Sequence, residues 1–150
     1  MSCYGNQIKT LDVKNLTKLR ELCCSSNPIK TLSLEKLTKL KRLYCVDTKL
    51  QSLNVTTCTS LEEISCGSGS LKKIDAGGLK KLYALDCSCY DEKAAFPLYF
   101  LNVQNDEKLE DVRVYGTDKL KKIYAYNCPE LSESNFEGRK LIRKPYNGSF

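Results

Sequence analysis

The residues with most chemistry to offer are nine cysteines, two of them adjacent at Cys23 and Cys24. Thiolates can ligate zinc, exchange disulfides or attack as nucleophiles. Each role sets a geometric demand: four convergent ligands, two facing Cβ vectors, or a neighbouring base. The chain has no histidine, which removes Cys/His nucleophile pairs, the commonest general base and mixed Cys/His zinc sites. The cysteine count is odd, so at least one thiol has no intramolecular partner. Five of the nine, Cys3, Cys24, Cys45, Cys66 and Cys87, stand 21 residues apart, so a repeat sets their positions.

Other columns keep the same step. Leu19, Leu40, Leu61 and Leu82 form one, and Leu22, Leu43, Ile64 and Leu85 another. Ile8, Ile29, Leu50 and Leu71 form a third, and Leu11, Leu32, Leu53 and Ile74 a fourth. Val13, Leu34, Val55 and Ala76 make a fifth, and Leu16, Leu37, Cys58 and Leu79 a sixth. Each unit contains two short alternating stretches, such as "LRELCC" and "IKTLSL". Alternation with period two means strand, with every second side chain inward. A 21-residue unit has no room for two strands and a helix, so each unit reads as one coil with two strands and two tight corners. Stacked coils then pair strand on strand at roughly 4.8 Å, giving two parallel ladders around a narrow apolar core.

The stretches "LRELCCSSNPIKTLSL" and "LKRLYCVDTKLQSLNV" resemble leucine-rich repeats, specifically the short 21-residue bacterial class LxxLxCxxNxLxxLDL found in Bacteroidetes proteins. The resemblance covers about residues 2–131. It implies a right-handed leucine-rich repeat β-solenoid with little or no α-helix, acting as a binding surface for proteins or other macromolecules. It also implies a bacterial protein, secreted or at the cell surface rather than cytoplasmic. In that family the turn Asn is buried and bonds the backbone. It is present at Asn6 and Asn27 and replaced by Thr48, Gly69, Tyr90 and Thr117, which predicts looser or differently built turns toward the C-terminus.

The chain reads as a single domain over 1–150. After Cys87 the next apolar corner comes six residues late, which places an inserted loop at 88–97. The last unit carries one extra residue before Leu120. The tail 132–150 is aperiodic but holds Phe136, Leu141, Ile142 and Tyr146, enough apolar surface to cap the last coil. The first coil conforms from Cys3 onward, whereas terminal repeats are ordinarily atypical because they shield an open edge. That predicts a piece of a longer protein, with end-to-end self-association open to the uncapped N-terminal coil.

The cysteine ladder occupies an inward slot that Val114 fills in the fifth unit, so the slot asks for a small apolar group. Parallel in-register Cβ vectors give poor disulfide geometry, and a straight stack offers no tetrahedron. Buried reduced thiols are expected there and at Cys58 and Cys128; no metal and no cofactor is expected. Cys23 falls on the outer face and Cys89 in the inserted loop, the two places for an accessible thiol.

On the outer face of the first ladder, Arg42, Tyr44, Glu63, Asp86, Arg113 and Tyr115 are the candidate ligand-binding residues, because Tyr and Arg commonly anchor protein interfaces. On the second ladder Phe100, Tyr124 and Tyr126 form a secondary aromatic patch, either covered by the tail or binding a ligand. Lysine columns at both corners keep the coils solvated, and their density is low for a nucleic-acid reader. A net charge of +6 fits either solubility or an anionic partner. There is no Gly-rich phosphate loop, H-E-x-x-H or G-x-S-x-G, and the carboxylates lie on a regular surface, so no enzyme is expected. No stretch approaches ~18 uninterrupted apolar residues, so none reads as a membrane span, and "MSCYGNQIKTLDV" lacks the apolar core of a signal peptide. The reading is a non-catalytic module that binds another protein through the first ladder. The alternatives are a structural spacer or stalk of a larger surface protein, and a carbohydrate- or polyanion-binding module.

Overall fold

The computed structural model describes residues 1–89 and 96–148. Five strands, β1 (Glu21–Cys23), β2 (Arg42–Tyr44), β4 (Glu63–Ser65), β6 (Ala84–Asp86) and β8 (Asp111–Arg113), form one parallel sheet in that order. Four more, β3 (Ser52–Asn54), β5 (Lys73–Asp75), β7 (Phe100–Asn102) and β9 (Lys122–Tyr124), form the second. Every strand is three residues long, and among the described residues the one helical element is a 3-10 turn at Glu133–Phe136. The chain is thus a β-solenoid with two parallel ladders, as its periodicity implies.

The register follows the repeat. Leu22 pairs with Leu43, Leu43 with Ile64 and Ile64 with Leu85, each 21 residues on. Leu85 then pairs with Val112, 27 residues on, so the six extra residues leave the pairing in step. Of that expected loop at 88–97, residues 90–95, with Tyr90, lie outside the described residues. The ladder columns build the core: Leu22, Leu43, Ile64, Leu85, Leu53, Ile74 and Leu101 are all buried. Gly67 shows how closely the coils stack, because a Cβ there would lie 1.7 Å from the Ser88 carbonyl oxygen.

The second ladder corrects one expectation. It begins only at β3; the alternating arms 10–14 and 31–35 form no strand. Their local patterns suit a strand as well as those that pair, so alternation alone does not decide the pairing. Stacking Lys9 beside Lys30 would also set like charges opposite one another, which costs ladder stability. The first coils therefore stay joined along the first ladder and part along the second. A groove of about 1500 Å³ opens there, rimmed by Lys9, Lys14, Lys30 and Lys49.

The turns are rebuilt rather than loosened. The buried Asn27 amide donates to the carbonyls of Cys3, Cys24 and Ser25 and accepts from the Ile8 N–H. Thr48 and Thr117 keep one of these bonds, from their hydroxyls to Cys45 and Val114 three residues back. At the far end Phe136 is fully buried on the last coil, and Ile142 bridges to Tyr124. The Arg143 guanidinium donates to the carbonyls of Ala125, Cys128 and Leu131, which a further coil or water would otherwise serve.

Candidate functional site

Alternation along the first ladder sends Leu22, Leu43, Ile64 and Leu85 inward and leaves two outward rows. Pairing places Glu21, Arg42, Glu63, Ala84 and Asp111 in one row and Cys23, Tyr44, Ser65, Asp86 and Arg113 in the other. The ladder thus brings five of the six candidates onto two neighbouring rows. Tyr115 lies two residues past β8 and is 55% exposed.

Some of the charges are already matched. Arg42 donates to Glu21 through Nε at 3.0 Å and Nη2 at 2.7 Å. Arg113 Nη2 lies 2.9 Å from Asp111 Oδ2, and at the corner beside the sheet Lys41 meets Glu62 at 2.6 Å. Asp86 accepts the Ser88 N–H at 2.9 Å. Burial and the nearby Glu63 carboxylate raise the Tyr44 phenol above its ordinary range.

Between Tyr44 and Arg113 the face is not flat. The small residues Ser65 and Ala84 sit where their neighbours carry long side chains, and a notch of about 340 Å³ opens above them. Its walls are Tyr44 and Glu63 on one side and Asp111 and Arg113 on the other, with Asp86 and Tyr83 completing the rim. Tyr83, Ser65 and Ala84 were missed as functional positions in the sequence. A run of small residues inside otherwise long-side-chain rows was the available signal.

The secondary aromatic patch divides. Phe100 lies 5.5 Å from Tyr124 between ring centroids, and Tyr146 of the tail packs on both, at 5.1 Å and 4.8 Å. Gln104 holds that tail by two bonds, donating to the Tyr146 carbonyl at 3.1 Å and accepting its N–H at 2.7 Å. Tyr126 stands apart, 42% exposed.

The cysteines sort by face. All nine are free thiols; Cys24, Cys45, Cys58, Cys66, Cys87 and Cys128 are buried, and Cys3, Cys23 and Cys89 half-exposed. Burial pushes Cys24 and Cys87 up to about 12 and Cys58 to about 11, and raises Cys45 and Cys66 further. These thiols stay protonated at neutral pH. No cluster of three or more metal-ligating side chains occurs among the described residues, and none of their helices is long and apolar enough to cross a membrane.

One buried acid went unrecognised in the sequence. The sixth column, continued past Leu79 by the 27-residue step, reaches Asp106, which is fully buried. Its Oδ1 accepts the Leu79 N–H at 2.7 Å, and its Oδ2 has no partner. Burial, opposed by the Leu79 N–H, lifts its carboxyl to about 9.

No family model matches the chain, and no curated protein does. Solved structures similar to this chain include two from Listeria monocytogenes. One is the functional domain of InlJ from Listeria monocytogenes, which includes a cysteine ladder. It is 23% identical with a TM-score of 0.42, the match covering 95% of this chain and 43% of that one. The other is an internalin (inlF) from Listeria monocytogenes, 17% identical with a TM-score of 0.43, covering 93% and 52%. The chain spans about half the length of these structures.

Proposed function

We propose that this chain is a non-catalytic interaction module that binds another protein through the outer face of the β1-β2-β4-β6-β8 sheet. The observation that carries the reading is the make-up of that face. Two outward rows present Tyr44, Glu63, Asp86 and Arg113 around a concavity, with Arg42 in the same row as Glu63 and nothing from the described chain packed over it. Tyr and Arg beside a recess are the residue types that dominate binding energy at protein interfaces. The second sheet is a poorer candidate at its C-terminal end, where Tyr146 packs on Phe100 and Tyr124.

The finer assignment, to the short 21-residue bacterial leucine-rich repeat class and to a secreted or cell-surface location, rests on the repeat motif. The one-domain organisation, with repeats over about 2–131 and a cap over 132–150, rests on where the periodicity stops. Self-association through the first coil is a weaker reading, supported by Leu16 standing 41% exposed at that end. A carbohydrate or polyanion reading has one observation in its favour, the lysine-rimmed groove on the second face.

The test uses immobilised protein and identification of what it retains. Tyr44→Ala and Arg113→Ala are each expected to lose a partner that the parent captures, with unchanged circular dichroism. Equal capture by parent and variants refutes the assignment of this face. Binding that disappears with added salt and moves with Lys30→Glu supports the second groove instead.

A further inference from the structure

The notch on the first sheet indicates what kind of side chain a partner would bring, an inference resting on the protein-binding reading above. In the row Glu63–Ala84–Asp111 the two acids are separated by two strand spacings, roughly 10 Å, with only a methyl group between them. In the neighbouring row Ser65 likewise leaves space between Tyr44 and Asp86. The missing side-chain volume is the notch, about 340 Å³, at the low end of the range of ligand sites and ample for one long side chain.

Its charge is opposite in sign to that of the chain. The molecule carries a net +6, yet the notch is lined by Glu63, Asp86 and Asp111 against Arg113 alone. Arg113 is taken by Asp111, and Arg42, beside Glu63 in register, is turned to Glu21. Glu63 and Asp86 therefore hold a local negative surplus above an apolar floor, with Tyr44 and Tyr83 at the edges.

We propose that a lysine or arginine side chain of a partner protein inserts into this notch, its cation between Glu63 and Asp86 and its aliphatic stem over Ala84. The tyrosine rings offer the cation a second attraction through their faces. The positive remainder of the surface repels a uniformly basic partner, so the fit is to a segment presenting one or two cations rather than to a polycation.

The test titrates ¹⁵N-labelled protein with N-acetyl-Gly-Arg-Gly-amide and with its citrulline analogue, which keeps the shape and loses the charge. The arginine peptide is expected to move the amide signals of Ser65, Ala84 and Asp86 saturably, and the citrulline peptide to bind at least about tenfold more weakly. Ala84→Leu, which fills the notch without changing charge, and the Glu63→Gln/Asp86→Asn double variant are each expected to weaken binding by about tenfold or more. Absence of saturable shifts, equal binding of citrulline, or indifference to Ala84→Leu overturns the proposal. The two readings fail separately. A partner lost with Tyr44→Ala and Arg113→Ala but retained by Ala84→Leu keeps the face and removes the notch. Arginine peptide bound in the notch, with every partner retained by those two variants, removes the face reading.

Discussion

Asp106→Asn is expected to stabilise the protein, and increasingly so as pH rises. The parent carboxyl is fully buried, with one oxygen bonded to the Leu79 N–H and the other unpartnered. Its pKa rises from 3.8 unfolded to about 9 folded. Folded protein therefore binds this proton more tightly, so the group's contribution to stability is complete below pH ~4 and is lost as pH rises toward 9. The slope between those limits is about 1.4 kcal/mol per pH unit for one proton. At pH 7 the parent is destabilised by about 4 kcal/mol relative to a side chain that needs no proton. Asparagine is such a side chain: its oxygen can still accept from Leu79, and its amide takes the place of the unpartnered hydroxyl. Urea unfolding of parent and variant at pH 5, 6, 7 and 8 measures the difference, in which every other titrating group cancels. The expected gap widens at each step and corresponds at pH 7 to a Tm increase on the order of 10 °C for a chain of this size. Asp106→Leu also abolishes the slope but orphans the Leu79 N–H, and is expected about 1–3 kcal/mol less stable than the Asn variant. A gap that stays flat from pH 5 to 8 refutes the reasoning, because it means that the carboxylate ionises in the folded state at little cost.

Thiol labelling checks the sorting of the cysteines: Ellman's reagent at pH 8 is expected to react promptly with no more than Cys3, Cys23 and Cys89, and with all nine thiols in guanidinium. Gly67→Ala is expected to destabilise by several kcal/mol in chemical denaturation, because its Cβ meets the Ser88 carbonyl and the backbone of a neighbouring coil must move. Leu43→Ala, a fully buried rung, should cost about 2–5 kcal/mol in the same assay. Arg143→Ala removes the guanidinium donor from three carbonyls, of which that of Cys128 keeps the Leu131 N–H, and is expected to increase amide exchange in the tail and last coil, with β1 to β4 unaffected.

Much of this molecule is visible in one dimension because a solenoid is nearly one-dimensional. A constant 21-residue step sets which residues stack, and period-two alternation sets which of them face inward. Those two local rules separate Cys24, a buried rung, from Cys23 on the outer row, and place Tyr44, Ser65, Asp86 and Arg113 in one row. The 27-residue step from Leu85 to Val112 was legible for the same reason, as an interruption of a count.

What only the tertiary structure decided depends on distances between coils and on what each group meets there. The arms 10–14 and 31–35 carry a strand pattern yet do not pair, because pairing requires coil spacing as well as alternation. The notch exists because Ser65 and Ala84 lie among longer side chains contributed by neighbouring coils, a coincidence across four strands. Tyr146 reaches Phe100 and Tyr124 only through a chain reversal held by Gln104, 42 residues earlier. Asp106 reads as an ordinary surface acid until folding removes its water and leaves one oxygen without a partner. Repeat and alternation are properties of neighbours along the chain; spacing, recess and proton affinity are properties of neighbours in space.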